Sequence, residues 1–171
     1  NYLQIGNKLH VNHTFKTEGK IGYFKIEIIK AYSPLYFENK EKLLCITSAF
    51  NLIKLLTVDF QENSKIFNLI DIFYTILDKE NWINEYIFWE LELLKLIGYD
   101  LVFKNLVNKE KVNDEIKYYV KSNSEKKFVP NFLIEKNKDE LNNTQLLNGL
   151  KLVGNYLDKN ILKPNNINFP E

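Results

Sequence analysis

The chain has 171 residues, 45% of them hydrophobic and 14% aromatic, with a formal net charge of +1. That is enough apolar material for a packed core, and it excludes a low-complexity or strongly basic chain. No apolar run reaches the ~20 residues that a membrane-spanning helix needs, and a single cysteine, Cys45, excludes an internal disulfide or a Cys-based zinc cluster.

All 23 cations are Lys, because the sequence contains no Arg. Any phosphate contact is therefore made by a point charge rather than a planar fork, which suits sequence-independent binding better than base reading. The charge is unevenly spread. Residues 1–33 carry a net +3, residues 34–100 a net −5, and residues 101–171 a net +3. There is no Met, so the chain is expected to be a fragment of a longer protein.

Residues 1–33 read as β structure. From Lys8 to Lys16 the pattern alternates, with Leu9, Val11, His13 and Phe15 on one side and Lys8, His10, Asn12, Thr14 and Lys16 on the other. Glu18-Gly19-Lys20 supplies a turn. A second strand runs from Gly22 to Ile29, with Phe24, Ile26 and Ile28 facing away from Tyr23, Lys25 and Glu27. Ser33-Pro34 ends the region, since Pro disfavours helix at the residue before it. Two or three strands are marginal alone, so further strands are expected before Asn1.

From Asn39 the period changes to that of a helix. Leu43, Ile46, Phe50 and Ile53 mark a first helix over roughly 40–56, in which Cys45 is expected to be a small buried hydrophobe. Asn63 is placed to cap a second, with Ile66, Phe67, Ile70, Phe73 and Leu77 on its face and enough further apolar residues to make it central. Asn81 is placed to cap a third, from Trp82 to Ile97, whose Trp82, Tyr86, Trp89, Leu93 and Leu96 form one stripe. That stripe predicts core packing rather than a stacking ladder. Gly98 follows where a left-handed residue ends a helix. Residues 101–130 lose helical periodicity, and 116–121 with 126–129 predict a hairpin around Ser122-Asn123-Ser124-Glu125. A short helical turn follows Pro130. Asn142 or Asn143 caps a last helix through Leu146, Leu150, Val153, Leu157 and Ile161, which Pro164 breaks.

The residue pattern predicts a protein without catalytic chemistry. His10 and His13 lie on opposite sides of one strand and cannot chelate one ion. Glu85, Glu90 and Glu92 lack an accompanying Glu-x-x-His motif, Cys45 has no activating base nearby, and no glycine-rich phosphate loop is present. The basic strand face, Lys8, His10, Lys16, Lys20 and Lys25 with Tyr23, has the residue types of a single-strand-binding sheet. Lys121, Lys126 and Lys127 form a second basic group near the hairpin tip, preceded by Lys109 and Lys111. Both groups also fit ordinary solvated strands.

Three segments carry a family resemblance. Leu3-Gln4-x-Gly6-Asn7 resembles the Leu-Gln-Pro-Gly loop of bacterial RecO proteins, with Ile5 in place of the proline. Trp82 and then Phe88 to Leu101 resemble the RecO aromatic-Glu-Leu-x-Leu-Leu helix that ends Gly-aromatic. Leu150-x-Leu152-Val153-Gly154-x-Tyr156-Leu157, then Ile161-Leu162-x-Pro164 and Phe169-Pro170, resemble the closing helix and tail. The resemblance implies an α+β chain: residues 1–33 would be the later part of an OB-type antiparallel barrel, and residues 34–171 a mainly helical domain with a small β-hairpin. It also implies strands before Asn1 and a continuation past Glu171.

For function, the resemblance implies a cytoplasmic, nucleoid-associated mediator of DNA repair and recombination without cofactor or nucleotide. Such proteins bind single- and double-stranded DNA, anneal complementary strands, and help load RecA together with RecR. They also engage the acidic tail of single-strand-binding protein. The DNA contacts would fall on Lys8, His10, Lys16, Lys20, Lys25, Lys121, Lys126 and Lys127. The alternative is a non-catalytic interaction module that docks the tail of single-strand-binding protein, and RNA binding by the barrel is a third option. One departure is plain. Many RecO proteins carry a four-cysteine zinc site after the Gly-aromatic turn, whereas residues 104–130 here hold neither Cys nor His. The hairpin is then expected to hold by packing of Tyr118, Val120 and Phe128.

Overall fold

The computed structural model describes residues 3–15, 17, 22–58, 61–122, 125–136 and 141–167. It is α+β and divides into two compact units, Asn1–Val58 and Asp59–Glu171.

In the first unit, β1 (Lys8–Thr14) pairs antiparallel with β2 (Tyr23–Lys30). The register places Leu9, Val11 and His13 opposite Ile28, Ile26 and Phe24, and places His10, Asn12 and Thr14 opposite Glu27, Lys25 and Tyr23. The two faces are those the alternation predicts. The pair does not close into a barrel, and among the described residues its apolar face stays open. Val11 is 48% exposed and Phe24 62%. His13 stacks on Phe24 with ring centroids 4.6 Å apart.

The loop before β1 is built around Gly6, whose φ of 92° is cheap only without a Cβ. The Asn7 amide donates to the Gln4 carbonyl (3.2 Å), so Gly6 sits third in a four-residue turn, where a type II turn requires positive φ. Pro favours the position before it, here held by Ile5. The turn is tied to the end of the ribbon. The Tyr32 amide donates to Asn7 Oδ1 (3.1 Å), and Ser33 Oγ donates to the Ile5 carbonyl (2.7 Å). A 3₁₀ turn, Ser33–Tyr36, leads into α1 (Lys40–Leu56), capped by Asn39 Oδ1 accepting from the Lys42 amide. The buried stripe of α1 is Cys45, Ile46, Ala49 and Leu52, about a quarter of a turn round from the expected Leu43–Ile46–Phe50–Ile53 stripe. Cys45 is buried as expected, whereas Leu43, Phe50 and Ile53 are half-buried.

The second unit is organised on α2 (Ser64–Leu77) and α3 (Trp82–Leu96). Asn63 caps α2 through Oδ1, which accepts from the Ile66 amide (3.1 Å). Helix α2 buries Ile66, Leu69, Phe73, Tyr74, Ile76 and Leu77, but Phe67 and Ile72 are 55% and 51% exposed, so it is less enclosed than its composition predicts. Asn81 occupies the N-cap position of α3 and its carbonyl accepts from the Glu85 amide, but its side chain makes no cap. Of the predicted stripe, Tyr86, Trp89 and Leu93 are core, whereas Trp82 and Leu96 at its two ends are half-buried. Trp89 is 2% exposed, donates Nε1–H to the Leu69 carbonyl (2.8 Å), and lies 5.7 Å from Tyr86 and 5.1 Å from Phe73 between ring centroids. At the end of α3 the Gly98 amide donates to the Lys95 carbonyl and the Tyr99 amide to the Leu94 carbonyl, with Gly98 at φ 93°. This paired arrangement is the glycine stop expected from sequence.

Residues 101–130 hold more structure than the sequence predicts. A one-turn helix α4 (Phe103–Leu106) precedes a three-stranded meander, β3 (Asn108–Val112), β4 (Glu115–Ser122) and β5 (Glu125–Val129), so the expected hairpin gains a strand. Asn113 and Asp114, both with positive φ (50° and 64°), make the tight two-residue link from β3 to β4. The sheet is fixed through Val129, which is buried, and by the Asn131 side-chain amide donating to the Ile116 carbonyl (2.6 Å). Tyr118 and Val120 are half-buried, but Phe128 is 57% exposed and does not hold the sheet as expected. With Lys, Asn, Tyr and carboxylates in place of thiols, this region does not fit a zinc tetrathiolate.

Helix α5 (Asn131–Glu135) buries Phe132, Leu133 and Ile134. Helix α6 (Asn143–Leu157) starts with a reciprocal Asn142–Gln145 capping box. It ends earlier than the sequence predicts, giving way to a π turn, Asp158–Leu162, and a 3₁₀ turn, Lys163–Asn165. The wider π turn lets both Ile161 and Leu162 be buried beside Leu157. Gly149 is the contact point of α6. A Cβ there would stand 2.6 Å from Phe132 Cζ and 3.1 Å from Ile87 Cδ1. Gly149→Ala, which would ordinarily stabilise a helix interior, is therefore expected to destabilise the fold by about 1–2 kcal/mol, read by urea denaturation. A stabilised variant would show that the ring moves aside freely.

Candidate nucleic-acid interface

The polar face of the β1–β2 ribbon carries Lys8, His10, Asn12 and Thr14 on one strand and Lys30, Glu27, Lys25 and Tyr23 on the other. Lys25 Nζ lies 3.0 Å from Glu27 Oε1, which mutes its charge. At the other end Lys8 pairs directly across from Lys30, whose Nζ sits 4.6 Å from the Tyr32 ring centroid. Like charges directly opposed on one face repel, and an anion between them relieves the repulsion. His10 lies on this face and His13 on the other, as the alternation requires. Lys16 and Lys20 fall outside the described residues.

The second basic group divides across the two faces of the β3–β5 sheet. Lys121 and Lys126 oppose each other on one face, again a like-charge pair. Lys126 also bonds the Glu110 carboxylate and lies 4.6 Å from the Tyr119 ring centroid, and its pKa is raised, chiefly by the hydrogen bond to Glu110. Its charge is largely spent within the sheet. Lys127 opposes Val120 and so takes the other face. Lys111 pairs with Asp114 at 2.6 Å.

Two concavities lie in the second unit. One, of about 460 Å³, is floored by Phe88, Leu91, Leu101, Val102, Phe103 and Leu133, with Lys95 and Lys136 and the carboxylates of Glu92 and Asp100 at its rim. The other, an open groove of about 1200 Å³, runs between β4–β5 and α6 and includes Lys127. The sequence reading missed this groove because Lys127 and its partners on α6 lie far apart along the chain. The helical spacing of Lys151, Asn155 and Lys159 is the signal that would have found them. Among the described residues no group of three or more His, Cys, Asp or Glu is placed to hold a metal ion.

These sites belong to a chain with clear relatives. The curated DNA repair protein RecO of Rickettsia rickettsii (strain Iowa) is 35% identical over 98 residues, covering 57% of this chain and 41% of that protein. RecO of Rickettsia felis is 37% identical over 98 residues with the same coverage, and RecO of Ehrlichia chaffeensis 31% over 101 residues, 58% of this chain and 41% of that protein. The chain thus spans about two fifths of the length of these relatives. No family model and no solved structure matches it. The framework is α+β with lysines on both sheets, and among the described residues no helix is long and apolar enough to cross a membrane. Over those 98 to 101 residues the chain is similar to curated bacterial RecO proteins.

Proposed function

We propose that this chain is part of a bacterial recombination mediator that binds single- and double-stranded DNA, anneals complementary strands, and acts with RecR to assist RecA loading. The similarity to curated DNA repair proteins carries the reading. The lysines that oppose one another across the ribbon and across the β3–β5 sheet support it chemically, since they gather positive charge along two strand faces. On this reading residues 1–33 correspond to part of an OB-type barrel and 34–171 to the helical domain. Lys8, His10 and Lys25, with Lys16 and Lys20, line the DNA path of the first, and Lys121, Lys126 and Lys127 that of the second. The protein positions strands and performs no bond chemistry of its own.

The test is fluorescence anisotropy of the chain with labelled single- and double-stranded oligonucleotides between 50 and 200 mM salt. Affinity is expected to fall linearly in a log–log plot. Lys8→Glu with Lys25→Glu should lower the single-strand slope by about 1.4, near 0.7 per lost contact. Salt-insensitive binding, or none, overturns the reading. A second reading, docking of the acidic tail of single-strand-binding protein, is favoured by the 460 Å³ cavity, which sets an apolar floor beside Lys95 and Lys136. A tail peptide that binds Lys95→Glu as tightly as the parent would dismiss it.

A further inference from the structure

We propose that the free edge of β5 takes up an extended acidic segment of a partner protein as a fourth strand of the β3–β5 sheet, with its carboxylates on Lys127, Lys151 and Lys159. This goes beyond the DNA-binding reading and stands apart from the 460 Å³ cavity.

The register fixes which main-chain groups of β5 are free. The two-residue Asn113-Asp114 link closes on Val112 and Glu115, which makes that pair the hydrogen-bonded kind. Along β4 the backbone groups then alternate. Glu115, Lys117 and Tyr119 turn theirs to β3, and Ile116, Tyr118 and Val120 turn theirs the other way. The Ile116 carbonyl bears this out, since it accepts from the Asn131 side chain just beyond the end of β5. Tyr118 and Val120 oppose Val129 and Lys127, so those two residues of β5 bond inward. Lys126 and Phe128 therefore turn N–H and C=O outward. Both residues are exposed, and among the described residues no strand pairs with that edge. Alternating donors and acceptors of this kind are completed by another extended main chain. The backbone of DNA has no donor for the two carbonyls.

The side chains choose the strand. Lys127 and Val129 share the groove face with Ile116 and Tyr118, whereas Lys126 and Phe128 take the far face. Across the groove stand Lys151, Asn155 and Lys159. None of Lys127, Lys151 and Lys159 forms an ion pair with a described residue, in contrast to Lys126 and Lys111 on the same sheet. The acids of the groove are Glu115 and Glu135, and Glu135 Oε1 already accepts from the Tyr118 hydroxyl at 3.2 Å. An added strand turns every second side chain to this face, where carboxylates would meet the three ammonium groups. A second copy of β5 would instead bring its own lysines against these, and like charges repel across a strand pair. The fitting strand is one of opposite sign.

The probe is the peptide Thr-Val-Asp-Val-Asp-Val-Asp-Val-Thr, dye-labelled at its N-terminus and amidated at its C-terminus, added to the full chain. Saturable binding is expected. Hydrogen exchange by NMR should slow at the Lys126 and Phe128 amides and change little at Lys127 and Val129, which are already bonded. N-methylating every second peptide nitrogen in one phase should weaken binding about tenfold or more, and in the other phase should not. Lys151→Gln with Lys159→Gln should weaken it about fivefold. Unslowed exchange at Lys126 and Phe128, or equal binding of the two methylated peptides, overturns the added strand. Binding that needs a free terminal carboxylate overturns it in favour of a tail pocket. Oligo-dT that slows the same two amides overturns the choice of a peptide. Each of these leaves the DNA-binding reading to its own salt titration.

Discussion

Trp89→Ala is expected to destabilise the protein by about 3–5 kcal/mol, the range for deleting a large buried aromatic. The indole is nearly inaccessible, and it is the hub where Phe73 of α2 meets Tyr86 of α3. Its N–H also donates across to the Leu69 carbonyl, locking the two helices in register. Trp89→Phe separates the two contributions, because it keeps most of the apolar volume and loses the donor. It should cost about 1–2 kcal/mol. Urea melts followed by circular dichroism at 222 nm would measure both, since fluorescence would lose one of only two tryptophans. A cost below about 1 kcal/mol for the alanine variant would mean that the helix pair is held elsewhere.

Glu90→Gln is expected to stabilise the protein by about 1–3 kcal/mol at pH 8 and to do almost nothing at pH 4. Glu90 is half-buried on α3, and burial lifts its carboxyl from 4.5 to about 7, with a hydrogen bond from Tyr86 pulling the other way. Between those two values the native state holds a proton that the unfolded chain has released. Stability from this group is therefore lost as pH rises from about 4.5 to 7, at about 1.4 kcal/mol per unit before partial solvent access is allowed for. Glutamine keeps the shape of the neutral acid and cannot ionise. The difference in unfolding free energy between parent and variant, measured from pH 4 to 8, should grow through that window and then level. A flat difference would place the carboxylate in water.

Much of the fold was legible because its signals are local. Alternation from Lys8 onward assigned the two faces of the ribbon, and Asn63 and Asn142 announced two helices by capping them. Gly98 marked a stop because the backbone there needs positive φ. What escaped was polar or long-range. Strand β3 reads Asn-Lys-Glu-Lys-Val, with no apolar alternation, and only the Asn113-Asp114 turn betrays it. Asn84, 3% exposed and without a hydrogen-bond partner among the described residues, sits where a periodic pattern calls for an aliphatic side chain. Phe67, Ile72 and Phe128 look like core in sequence but lie in solvent, because hydrophobicity does not say which side of an element has a neighbour. The candidate interface was half visible. Local lysine clusters stood out, but the cross-strand pairing that neutralises Lys126 and frees Lys127 appears only with the register.

The open ribbon of the first unit carries a last consequence. When oil lies on neither side, slippage by one residue costs little, since no side chain trades a dry seat for a wet one. Alignment must then come from fasteners within the strands themselves. Here they are the bulge at Ile29, which steps the pairing from Lys8 with Lys30 to Leu9 with Ile28, and the His13 ring laid on Phe24.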